Sequence, residues 1–161
     1  MKTLSDAFEH TLHDIYYAEN AIAKALPKVI GEVDNSALRK ALQDHLKETK
    51  DQIKVLDAVF KSIKKTPKGE KCDAIEGLIK ECEGVMKDAK GPVAKHAMIV
   101  GCCQAIEHYE IARYGTLREW AKELEHNEAH DLLSGILDQE KAANYKLTHL
   151  AVTAVNSGAA A

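Results

Sequence analysis

The chain has 161 residues, 45% hydrophobic and 29% charged, with a formal net charge of −3. That balance excludes a disordered chain, and the small negative charge leaves no electrostatic footprint for nucleic acid. No stretch approaches the ~18 apolar residues of a membrane span, and Met1–Asp6 lacks a signal-peptide run, so a cytoplasmic protein with no nucleic-acid or membrane partner is expected. With only 3 Pro and 9 Gly, the composition favours helix over sheet. One all-α domain over residues 1–161 is expected.

The first helix is expected to open at Thr3 or Ser5, either of which can cap it, and to end near Gly31. Phe8, Leu12, Ile15/Tyr16, Ile22/Ala23, Leu26 and Val29/Ile30 follow amphipathic spacing. Glu19 sits on that inward line, four after Ile15 and three before Ile22. Pro27 predicts a kink. Asp34-Asn35-Ser36 caps a second helix, an antiparallel neighbour of the first across a short link. On its stripe His45, Glu48 and Gln52 share one face at intervals of three and four.

Lys64–Lys71 reads as a solvated basic loop within a crossover spanning about 64–91. Cys72–Asp88 is a short amphipathic helix inside that crossover, and its apolar face offers a dimer surface. Pro92 suits the start of a third long helix, about Val93–Leu124. There Glu107 lies on the line from Gln104 to Ile111, and Glu110 on the line from Cys103 and Ile106 to Tyr114 and Leu117. Periodicity does not separate the two, and His108 sits beside them. A fourth long helix, about Glu128–Val155, carries Glu140 where a leucine would otherwise belong. Residues 157–161 are expected to fray. Cys72, Cys82, Cys102 and Cys103 have no zinc-knuckle spacing and read as reduced core fillers. His10, His96, His126, His130 and His149 lack a paired acid at matching depth and are expected to be solvated.

Glu19 precedes Glu48 by 29 residues and Glu110 precedes Glu140 by 30, and each second Glu has an amide four residues on, Gln52 and Asn144. The pattern suggests a duplicated helical hairpin, the two copies joined by the crossover. Inward carboxylates from every long helix cannot all stay ionised without a counter-charge. Protonation is one solution and bound cations are the other. An oxygen-rich site with one or two imidazoles suits iron, manganese or magnesium better than zinc. Two metals bridged by carboxylates, with a Glu-x-x-His on each of two helices, is one such core. Here helix two has the reverse order, His45-x-x-Glu48, and Ala143 and Asn144 stand where a His after Glu140 would be. Tyr16, Tyr109 and Tyr114 lie near the expected site.

The segments Asp14-Ile-Tyr-Tyr-Ala-Glu19, His45-Leu-Lys-Glu-Thr-Lys-Asp-Gln52, Glu107-His-Tyr-Glu-Ile-Ala-Arg-Tyr-Gly115 and Leu137-Asp-Gln-Glu-Lys-Ala-Ala-Asn-Tyr-Lys-Leu147 resemble the YciF/YciE-like family. These are bacterial, stress-associated members of the ferritin-like superfamily. The resemblance covers nearly the whole chain. It implies a rubrerythrin-related four-helix bundle of two hairpins, a homodimer, and a dinuclear metal site. Carried over by motif, the candidate ligands are Glu19, His45, Glu48, Glu107 or Glu110, and Glu140, with Gln52, Asn144 and Tyr114 supporting them. The family pattern has Glu-Glu and then Asp where this chain has Gln139-Glu140 and Asn144. Two functional readings follow. One is a di-iron protein with ferroxidase or peroxide- or oxygen-reducing activity. The other is a non-enzymatic structural or interaction bundle with a structural or vestigial metal site.

Overall fold

The structure is a computed structural model in which residues 1–156 are described. The described residues form five α-helices: α1 Leu4–Gly31, α2 Ser36–Ser62, α3 Asp73–Asp88, α4 Pro92–Glu123 and α5 Asn127–Leu150. The last continues into a wider π-helical turn, Ala151–Val155. The expected fraying at 157–161 lies outside the described residues.

Local chemistry explains where the helices begin. Thr3 and Asp6 form a reciprocal capping box, and the Asn35 side chain accepts from the Leu38 N–H. Pro92 opens α4, where its missing N–H costs nothing. Pro27 is carried inside α1 near its end. The ends of α2 and α4 share one device. Lys64 and Glu125 take left-handed φ values of 59° and 57°. The following N–H groups reach back five residues, Lys65 to Phe60 at 2.9 Å and His126 to Ala121 at 2.8 Å.

α1 packs against α2 and α4, and α5 packs against the same two, closing a ring of four long helices. The short links at residues 32–35 and 124–126 make α1–α2 and α4–α5 neighbouring pairs. α3 lies outside the ring against α4 and α1, so its apolar residues Ile75, Cys82 and Met86 are buried within the chain. Phe8, Leu12, Ile15, Leu56, Phe60, Leu117 and Leu133 fill the interior. Tyr16 meets Phe60 edge-on and donates to Asp57 at 2.9 Å, tying α1 to α2. No described helix is long and apolar enough to cross a membrane.

One expectation is corrected. His96 is buried, with Nε2 2.9 Å from Asp34 Oδ1, so the α1–α2 link supplies its partner. His10 is exposed, as expected, with Asp14 at 3.6 Å, and His130 meets the exposed Asp131 at 3.0 Å. The 64–71 loop is exposed along most of its length, as expected, and the Glu70 N–H ties it to the His13 carbonyl at 3.2 Å.

An L-residue in the left-handed region costs roughly 1–2 kcal/mol, which glycine avoids at some cost in unfolded-state entropy. Glu125→Gly is therefore expected to raise stability by ~1 kcal/mol, read as a higher urea midpoint with unchanged slope.

Candidate metal centre

Inside the ring, α1 presents Glu19, α4 presents both Glu107 and Glu110, and α5 presents Glu140, each with at most 1% of its surface exposed. Glu107 and Glu110 are three residues apart, so one helix face carries both. One oxygen each from Glu19, Glu110 and Glu140 lies within 4.8 Å of the other two. Glu107 is placed to hydrogen-bond Glu140, so these two carboxyls can share a proton. Glu19 and Glu110 form a second such pair.

The remaining wall, α2, contributes donors. Gln52 Nε2 donates to Glu140 Oε1 at 2.6 Å and to Gln139 Oε1 at 3.2 Å. His45 Nε2 lies 3.5 Å from Glu107 Oε1. From α4, the Tyr114 hydroxyl donates to Glu19 Oε1. These contacts orient the carboxylates without neutralising them.

The electrostatic consequence is a store of protons. Burial, with the neighbouring Glu140 charge, pushes Glu19 up to about 8 despite the Tyr114 hydrogen bond. Burial raises Glu140 to about 7, with hydrogen bonds from Glu107 and Gln52 pulling the other way. Glu107 rises to about 10 through burial and its bond to Glu140. Glu110, surrounded by all three, rises well above the usual carboxylate range, chiefly through burial. Burial also lowers the His45 pKa, so its imidazole is neutral near pH 7 and available as a ligand.

The donor set fits a cation. Glu19 Oε2, Glu107 Oε2, Glu110 Oε2, Glu140 Oε2 and Gln52 Oε1 are buried without a hydrogen-bond partner. Such an orphan costs roughly 1–3 kcal/mol each. Among the described residues no lysine or arginine pairs with Glu19, Glu110 or Glu140, and hard oxygen donors of this kind suit iron, manganese or magnesium.

Other expected residues stand further out. Glu48 is half-buried and pairs with Lys146 Nζ at 3.3 Å, outside the group of three carboxylates. Thr49, the next residue, is the fully buried one, and its hydroxyl has no partner. Asn144 accepts from Gln104 at 3.3 Å. Tyr109 meets Cys72 Sγ at 3.0 Å, and Tyr16 is engaged by Asp57. His108, beside Glu107 in sequence, is exposed. Cys72, Cys82 and Cys103 are buried and Cys102 partly so, all as free thiols. A cavity of about 260 Å³ between α2 and α5 is lined by His45, Glu48, Cys103, Glu107 and Lys146 and reaches Glu107 from solvent. Periodicity gave no signal for Lys146 or Gln139, which lie on the outward side of α5.

Residues 3–160 match the family described as a domain of unknown function, DUF892. The chain is 41% identical over 160 residues to Protein YciF of Escherichia coli K12, covering 99% of this chain and 96% of that protein. The crystal structure of the E. coli stress protein YciF is similar with a TM-score of 0.93, covering 97% of this chain and 99% of that one. YcfI of Rhodopseudomonas palustris, described as a candidate structural protein, is 48% identical with a TM-score of 0.90, over 91% of this chain and 94% of that one. A Xanthomonas campestris protein at 18% identity has a TM-score of 0.77 over 96% of this chain and 95% of that one, a likeness of fold alone. The chain belongs to the DUF892 family of YciF-like stress proteins.

Proposed function

We propose that this chain is a single-domain, ferritin-like four-helix bundle whose core holds two divalent metal ions, iron above manganese or magnesium, in a cytoplasmic homodimer. The observation that carries the reading is the set of four buried glutamates, each with an unpartnered oxygen and, among the described residues, none ion-paired with a lysine or arginine. One ion would be held by Glu19, Glu110 and Glu140. The other would be held by Glu107, His45 and Glu140, with Glu48 within reach at the cavity wall. Glu140, grouped with Glu19 and Glu110 and hydrogen-bonded to Glu107, would serve both ions.

The chain's own residues then have definite tasks. Tyr114 holds Glu19 in one orientation, and Gln52 does the same for Glu140. The aliphatic shell keeps water away, which strengthens carboxylate–cation attraction. Protons held on Glu19, Glu107, Glu110 and Glu140 must leave as cations arrive, so binding releases protons and tightens as pH rises. Bound iron would supply one-electron chemistry toward oxygen or peroxide. The cavity beside His45 and Glu107 gives a small oxidant a path to that point.

A second reading, a structural bundle with a structural metal site, is favoured by the lack of a second imidazole: Ala143 and Asn144 stand after Glu140. The two readings part on one measurement. Anaerobic Fe²⁺ loading followed by oxygen is expected to give oxygen consumption and a new near-ultraviolet absorbance, both lost in Glu140→Ala. Iron retained with no oxygen consumed would leave the structural reading in force. Either reading predicts metal stabilisation of ~2.7 kcal/mol at a hundredfold excess over Kd. Glu110→Ala should abolish it in thermal melts, and an unchanged melting shift in that variant would remove the proposed centre.

The metal-free protein has an inverted pH dependence. In the unfolded chain these carboxyls titrate near ~4.3, whereas in the folded core Glu140, Glu19 and Glu107 hold protons to about 7, 8 and 10. Between those limits the folded state binds more protons, so stability falls as pH rises. Melting temperature without metal is expected to be highest near pH 5 and to drop steadily toward pH 9. Divalent cation should oppose the drop, and a chelated sample whose melting rises over that range would contradict the assigned burial.

A further inference from the structure

Between the helix ring and the crossover helix lies another cavity, of about 30 Å³, whose chemistry is the opposite of the polar one beside Glu48. α1 lends it Ile22 and Leu26, α3 lends Ile79 and Met86, and α4 lends Ile106. Ile22, Leu26 and Met86 are buried, so this is a gap in the apolar packing. On its solvent side Lys28 of α1 and Glu83 of α3 pair at 2.7 Å, bridging the two helices. On its inner side stand Cys103 and His45, which also line the polar cavity that reaches Glu107. His45 Nε2 lies 3.5 Å from Glu107 Oε1, so the gap ends one side chain away from the core carboxylates.

Size and lining decide what can enter. A single water needs roughly 10–15 Å³ and roughly two to four polar partners. The cavity has room for a diatomic molecule but lacks the partners. Lys28 and Glu83 are taken up by each other, Cys82 is placed to hydrogen-bond Cys102, and His45 is engaged with Glu107. Cys103 remains among the lining side chains, and a thiol is a weak donor. The surrounding backbone amides are spent within the helices. An apolar space of this kind stays dry and takes up apolar ligands such as xenon. Hydrogen peroxide would surrender its hydrogen bonds to water on entering, without replacement. Dioxygen has none to surrender.

We propose that this cavity is a dioxygen pocket that feeds the core past Cys103 and His45, an assignment that rests on the oxygen-reducing reading above and names dioxygen as its oxidant. The Lys28–Glu83 pair borders the entrance, and an exposed pair of this kind opens readily. Met86 has a flexible thioether stem that lets the wall adjust to a guest. The crossover helix thereby gains a task, because Ile79, Cys82 and Met86 close the outer wall of the pocket. Ions and gas then have separate routes, a polar one beside Lys146 and an apolar one beneath α3.

The test uses xenon on the metal-free full chain, read by methyl NMR shifts. Saturable shifts are expected at Ile22, Leu26, Ile79 and Met86. Ala25→Leu and Ile79→Phe add carbon to the gap and should weaken xenon binding at least ~10-fold. Two variants are used because overpacking can unfold either, and circular dichroism shows which one folds. After Fe²⁺ loading, a folded variant should show a KM for oxygen raised several-fold with kcat kept, and an unchanged rate of peroxide consumption. Absence of xenon shifts in the wild type, or undiminished shifts in a folded variant, overturns the pocket. Equal losses of the oxygen and peroxide rates overturn its assignment to dioxygen. Xenon bound in a chain that consumes no oxygen supports the gas pocket and removes the oxygen-reducing reading instead.

Discussion

The constraint on which this molecule turns is the burial of four glutamates in a helical core. A buried ionised carboxylate costs several kcal/mol even after relaxation, and a whole domain is stable by only about 5–15 kcal/mol. Four ionised together would consume that margin. The folded chain answers with protons: two carboxyl pairs, Glu19 with Glu110 and Glu107 with Glu140, each close enough to share one. Protons leave one oxygen of every glutamate unpartnered. The metal-free core is therefore a compromise that the surrounding aliphatic packing has to support.

That packing is asymmetric in an informative way. Glu19, Glu107, Glu110 and Glu140 come from α1, α4 and α5, while α2 sends in Gln52 and His45. The spacing echo between Glu19/Glu48 and Glu110/Glu140 leads one to expect a carboxylate from each helix. In the fold Glu48 turns to Lys146 at the cavity wall and Thr49 takes the buried position. The α2 wall thus provides hydrogen-bond donors and a neutral imidazole where the other three provide negative charge. A donor wall steadies Glu140 without a competing cation, so the orphaned oxygens stay turned toward one another.

The beginnings of helices, the crossover and the inward Glu19 and Glu140 were legible in the sequence because each depends on neighbours three or four residues away. Thr3, Asn35 and Pro92 announce themselves by chemistry confined to one turn. Glu107 and Glu110 resisted separation for a physical reason. α4 packs against α5, α1 and α3 at once, so its buried arc is wide enough to hold both. Long-range partners were invisible in the same way: Asp34 reaches His96 across 62 residues, and Lys146 reaches Glu48 across 98. His108 adjoins Glu107 in sequence, yet one residue is a rotation of about 100° on a helix and carries it to solvent.

The proposed centre explains why so costly a core would be kept apolar around its acids. If the glutamates served only as sites of protonation, solvent access would lower their cost and nothing would favour the sealed shell of Ile15, Ile22, Leu56 and Leu117. A cation reverses the argument. Its attraction to four carboxylates grows as water is excluded, so the same shell that penalises bare charge strengthens the filled site. A cavity lies beside His45 and Glu107, where the Lys146–Glu48 pair borders it. Exposed ion pairs of this kind are worth at most ~1 kcal/mol and break readily. The cavity beside them can therefore admit a hydrated ion or a small oxidant while the buried side of the site, at Glu19 and Glu110, stays dry.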